Sequence, residues 1–178
     1  SQRVLSIDLN NEAAETAFLS SEFEEMNAFI EIVLQHASTT EEQIKPYEIR
    51  IQSLKAENKL PAALATGLEL LDKLGEKFPK KPTPIKVMPD LLKTVRLLYG
   101  KSNETIRDLP ENQNAVKRAA IRVCASIAPS SYWAKPDIFP FIIFRIIRLS
   151  IVYGNTAVSA FGYATFGVIM VGVFNFIK

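Results

Sequence analysis

The chain has 178 residues, 48% of them hydrophobic, and a net charge of +2 from 21 basic and 19 acidic side chains. That length and composition suit one good core or a short array of repeats and exclude general disorder. The near-neutral balance leaves no electrostatic case for nucleic acid as a partner, and the single cysteine, Cys124, excludes an internal disulfide.

Read in order, the first predicted helix covers residues 9–19, with Leu9, Ala13, Thr16 and Ala17 on one face. A polar corner at Ser20, Ser21 and Glu22 leads to a second helix over 23–37, whose face is Met26, Ile30, Val33, Leu34 and Ala37. Thr39 or Thr40, with Glu42 or Gln43 three residues on, offers a capping box for a third helix carrying Ile44, Tyr47, Ile51 and Leu54. A second corner at Glu57, Asn58 and Lys59 precedes a fourth helix, which starts near Pro61 and closes at Gly75. The proline-rich stretch 78–84 favours an extended connection, and Lys77, Lys80, Lys81 and Lys86 read as its solvated charges. A fifth helix is expected over 88–99, closed by Gly100, and a short sixth is capped by Ser102 and ends before Pro110. The seventh spans 112–128 with Val116, Ala119, Ala120, Val123 and Ile127 inward. Pro129 and Pro136 then bracket a loop whose Tyr132 and Trp133 are expected to fold back over the core. The eighth runs over 137–153, with Asp137, Phe141, Arg145 and Arg148 near one stripe, and stops at Gly154. The ninth fills the remainder from about Thr156.

The first four helices form two units of one layout. Phe23 and Leu60 follow their corners 37 positions apart, close to the roughly 34 residues of a tetratricopeptide-type unit. The match is one of pattern, since Ala28/Ala65 and Leu34/Leu71 are the identical pairs in the aligned windows. Units of this kind stack into solenoids that mostly bind other proteins.

Residues 149–177 carry no charged side chain. A run of that length is a transmembrane signal, but Gly154, Asn155 and Thr156 interrupt it with a turn, and the rest is rich in small residues. Ala157, Ala160, Ala164 and Gly167 make a small-residue stripe that suits close helix packing. With Val168 and Phe174 they form the candidate interface of the chain. An exposed solenoid end is the preferred reading, with a homodimer interface and a membrane helix as its alternatives.

The motifs of chemistry are missing from the sequence. It contains no GxxxxGK[ST] loop and no GxGxxG fingerprint. The one histidine, His36, and Cys124 fall in different helices and read as a surface and a core side chain. The acids Glu22, Glu24, Glu25, Glu41 and Glu42 sit at helix starts, where the helix dipole accounts for them. No catalytic residue, metal or cofactor is therefore expected.

A longer ordered pattern carries a resemblance. It comprises Gly67 to Leu71, Leu109 and Pro110, Ala119 to Arg122, Pro129, Tyr132, Pro136, Phe139 and Pro140. It continues through Leu149, Ser150, Tyr153 to Asn155, Ser159 to Ala164 and Gly167. Together these resemble the tetratricopeptide-like repeat region of large bacterial multidomain signalling proteins. In that family a serine/threonine kinase-like domain and a predicted AAA/STAND-type ATPase precede the repeats, and a GAF sensor and a histidine kinase commonly follow. The resemblance implies that the catalytic domains lie outside this segment.

The sequence thus predicts an all-α, right-handed α-solenoid of tetratricopeptide-like hairpins with eight or nine helices. It would be one helical-repeat domain over 1–178, with paired helices over 9–75, the proline-rich connection over 78–84 and further pairs over 88–178. The expected role is a non-catalytic interaction scaffold in the cytoplasm, a compartment that suits a lone cysteine. Its partner would be flanking domains or another protein, with no nucleic acid. The start without methionine and the apparent helix at both ends suggest a piece of a longer chain.

Overall fold

A computed structural model describes residues 2–176, with the side chains of 84 and 173–176 left aside. The described residues are all-helical: nine α-helices, one short 3-10 turn and no strand. They are α1 (Gln2–Leu19), α2 (Phe23–His36), α3 (Thr40–Ala56), α4 (Leu60–Lys73), α5 (Pro84–Leu98), α6 (Asn103–Arg107), α7 (Ala115–Ala134), α8 (Phe139–Tyr153) and α9 (Ser159–Phe176). The chain divides into two compact units, residues 1–76 and 77–178, at the start of the proline-rich connection.

In the first unit α1 packs on α2, α3 on α4, and α3 also on α1 and α2. The two corners are the same structure. Ser21 and Asn58 both take positive φ, 63° and 57°. The amides of Ser20, Ser21 and Glu22 donate to the carbonyls of Thr16, Phe18 and Ala17. Thirty-seven residues on, the amides of Glu57, Asn58 and Lys59 donate to those of Ser53, Lys55 and Leu54. Each is a Schellman-type close, in which a left-handed residue lets the chain reuse the last helical carbonyls. Burial repeats with it: Ile7 and Ile44, Ala14 and Ile51, Met26 and Ala63, Ile30 and Gly67, and Val33 and Leu70 are all buried. Ala14, Ala17, Met26, Ile30 and Ile49 form a shared cluster, with Phe18, Phe23, Phe29 and Leu34 against it. Burying a Met or Ile side chain of this kind contributes about 1.5–3 kcal/mol.

The capping box falls on Thr39 and Glu42, and Glu42 also accepts from the two terminal guanidinium nitrogens of Arg3, at 2.8 and 2.9 Å. Helix α1 starts seven residues before its predicted position, and its inward face is Ile7, Asn11, Ala14 and Ala17. Leu9 and Thr16, expected inside, are exposed. The helix is rotated from the predicted face because Met26 and Ile30 of α2 meet the stripe of α1 that runs through Ala14 and Ala17.

In the second unit α8 is central and touches α5, α7 and α9. Its Ile142, Ile143, Phe144, Ile146 and Ile147 have no exposed surface. The two arginines of α8 dock the segment before it. Arg148 pairs with Asp90 at 2.9 Å and donates to Thr94 Oγ1 at 3.2 Å, while Arg145 donates to the Lys77 carbonyl and stacks over Phe78. Helix α5 begins at Pro84, four residues earlier than expected, because proline is well suited to a first helical turn.

Helix α7 corrects a further expectation. It runs through Pro129 to Ala134, so Tyr132 and Trp133 lie on its last turn and are exposed, not folded over the core. A proline inside a helix removes one backbone bond, but Ser130 and Ser131 beyond it are buried. Packing of α7 on α8 and the 136–138 turn holds the helix through the proline.

Candidate functional site

A concavity lies in the second unit, where α5 ends, α6 turns and α9 begins. It has a volume of about 620 Å³ and is lined by Leu98, Asn103, Ile106, Arg107, Asn155, Thr156, Ser159, Ala160, Tyr163 and Phe166.

Its floor follows from one clip. Gly154 ends α8 at φ 107°, and a Cβ there would stand 2.4 Å from the Pro110 carbonyl oxygen. This close approach lets Asn155 bond on both sides of the 110–112 segment. The Asn155 amide donates to the Pro110 carbonyl and its carbonyl accepts from the Asn112 amide, each at 2.9 Å. The Asn155 side chain reaches further: Nδ2 donates to the Ile106 carbonyl at 2.8 Å, and Oδ1 accepts from the Tyr163 hydroxyl at 3.0 Å. Burial pushes the Tyr163 phenol above its ordinary range. Ser159 accepts from the Thr156 amide at 2.9 Å and shares a 2.7 Å hydrogen bond with buried Ser150.

Helix α9 is seated by its other side. Gly162 lies so near α8 that a Cβ would be 2.5 Å from Ile146 Cγ2, and Phe166 meets Phe144 edge-on at 5.9 Å. The helices therefore approach at Gly162, one face round from the predicted small-residue stripe. Ala157, Ala160, Ala164, Gly167 and Val168 are exposed, Val168 at 73%. Ala160 lines the pocket, and Ala157 lines a smaller hollow of about 220 Å³ beside Glu111, Arg118 and Arg122. The side chain of Phe174 lies outside the described residues.

The pocket pairs an apolar floor of Leu98, Ile106 and Phe166 with hydrogen-bonding groups and one cation. That cation, Arg107, is exposed and held by Asp108 at 2.7 and 3.0 Å. None of its lining residues is an acid or an imidazole that could stand beside the Ser159 or Tyr163 hydroxyls. Among the described residues no group of three or more His, Cys, Asp or Glu side chains could hold a metal ion. Among them, too, no helix is long and apolar enough to cross a membrane.

Sequence reading found Ala160 but not Asn103, Arg107, Asn155 or Tyr163 as partners in a pocket. The bonds that tie Asn155 to the 106–112 segment span 43 to 49 positions along the chain, and no local periodicity records such a contact. The signal that was present is Gly154, whose place at the end of an apolar helix marks a turn. Compared with family models, with curated proteins and with solved structures, the chain matches none.

Proposed function

We propose that the chain is a non-catalytic interaction scaffold, a segment of tetratricopeptide-like hairpins stacked as a right-handed α-solenoid. The observation that carries this reading is the 37-residue repetition of the first unit, which extends from sequence pattern to matched hydrogen bonds and burial at both corners. Repeats of this kind offer a curved surface whose outward side chains are free to vary. With the family resemblance, this repetition supports reading the chain as a segment of a cytoplasmic multidomain signalling protein. There it would couple nucleotide-binding domains to sensor or output domains, or hold another protein. The α5–α6–α9 pocket is the site through which the second unit takes a peptide.

A peptide-display selection on the immobilised chain, run beside an Ala160→Trp chain whose pocket is filled, tests this. Peptides enriched on the unaltered chain alone are the expected result. Selection of none, or of the same set on both, overturns the reading.

A second reading, self-association through α9, is favoured by the exposure of Ala164, Gly167 and Val168 on a helix whose sequence carries no charge. Light scattering over a concentration series would then give a dimer that Val168→Asp returns to a monomer. A mass near 19.9 kDa at every concentration removes it.

A further inference from the structure

We propose that the outward face of α1, built by Leu5, Asp8, Leu9 and Glu12, is the docking face for a helical hairpin of a partner protein whose first helix presents lysine or arginine to Asp8. The inference rests on the repeat reading of the first unit.

The molecule shows what covers this face one repeat later. Helix α3 is buried along two stripes. One includes Ile44, Tyr47 and Ile51, and Tyr47 donates its hydroxyl to Glu69 of α4. The other is Pro46, Ile49 and Ser53, and Ile49 sits in the cluster formed with Ala14, Ala17, Met26 and Ile30 of the preceding hairpin. Thirty-seven residues earlier the first stripe recurs inside α1, with Ile7 and Ala14 buried. The second recurs as Leu9, Glu12 and Thr16, all exposed, Leu9 at 60%. The stripe that a hairpin covers in α3 is bare in α1, and Leu5, also 60% exposed, extends it by a turn.

Charge selects the occupant. Helix α3 is fastened to the hairpin before it by three ion pairs, Glu42 to Arg3 of α1, Lys45 to Glu15 of α1, and Arg50 to Glu31 of α2 at 2.5 Å. The position in α1 matching Glu42 is the apolar Leu5, the one matching Lys45 is Asp8, and the one matching Arg50 is Ala13. A hairpin with this chain's own sequence would set Glu15 against Asp8, a like-charge contact on a face that Glu12 already makes acidic. Repulsion of this kind rejects a second copy, and the matched partner carries a base there.

The probe is a lengthened chain in which a copy of residues 2–38 precedes Gln2, preserving the 37-residue spacing. The copy carries Glu15→Lys. Leu9→Cys in the original α1 reports burial through its rate of maleimide labelling, and buried Cys124 adds little background. The expected result is added helix by circular dichroism and labelling at least about tenfold slower than in the unlengthened L9C chain, with weaker protection from a copy that keeps Glu15. Added helix with unchanged labelling overturns the docking face and leaves the repeat reading standing. Equal protection from the unaltered copy overturns the basic partner in favour of a second copy of this chain. No added helix overturns the repeat reading itself.

Discussion

Residues 1–76 use one corner twice, with a third Schellman-type close at Gly75, whose amide and that of Glu76 reach back to Asp72 and Leu71. Among the described residues, those after 76 show no such repetition. There the elements gather on α8, and their order is fixed by long-range bonds from Arg145, Arg148 and Asn155. In the first unit stability is spread over two similar hairpins, and each helix needs only its neighbours. In the second it is concentrated in one apolar helix, so damage to that helix reaches every element at once.

The largest expected effect tests that concentration. Phe144 has no exposed surface and meets Phe166 of α9, so Phe144→Ala should lower unfolding free energy by about 3–5 kcal/mol. Urea titration followed by circular dichroism measures it. A loss under about 1 kcal/mol would mean that α8 is not the centre of its unit.

Smaller effects probe the equivalence of the two corners. Ser21 and Asn58 share a left-handed backbone, a conformation that costs most L-residues about 1–2 kcal/mol but that asparagine tolerates. Ser21→Gly should therefore stabilise the protein by up to about 1 kcal/mol, and Asn58→Gly by less. Equal gains, or a loss at either corner, would show that the corners are not alike in energy as they are in geometry.

The smallest effect concerns the joint between α1 and the start of α3. Hydrogen bonds from Arg3, then from the Ser38 and Thr39 amides, hold the Glu42 carboxyl at about 2, below its ordinary 4.5. A depressed folded-state value means that the contribution is fully present above pH 4.5 and fades as pH falls toward about 2. Glu42→Gln should flatten the acid dependence of the urea midpoint across that window. An unchanged slope would show that the Arg3 contact adds nothing in solution.

What was legible in the sequence was local. The capping box at Thr39 and Glu42, the glycine closes at Gly75, Gly100 and Gly154 and the corner pattern all depend on residues within a few positions of one another. What stayed hidden was set by distant partners. The buried face of α1 depends on α2, the passage of α7 through Pro129 on packing beyond the proline, and the pocket on Asn155 reaching Ile106. Composition also misled at α9, where a stripe of alanines drew the eye while Gly162, two positions from Ala160, made the close approach.

The exposed end of α7 decides how this protein is best watched. Trp133 is the sole tryptophan and is 74% exposed, with Tyr132 beside it at 5.4 Å. An indole that exposed should emit close to one in water, so unfolding should move the fluorescence spectrum little. Agreement between optical probes, the usual sign of a two-state transition, will be missing here for a photophysical reason. The same indole stands ready to shift to the blue when another molecule covers the end of α7, which makes it a label-free reporter of docking there.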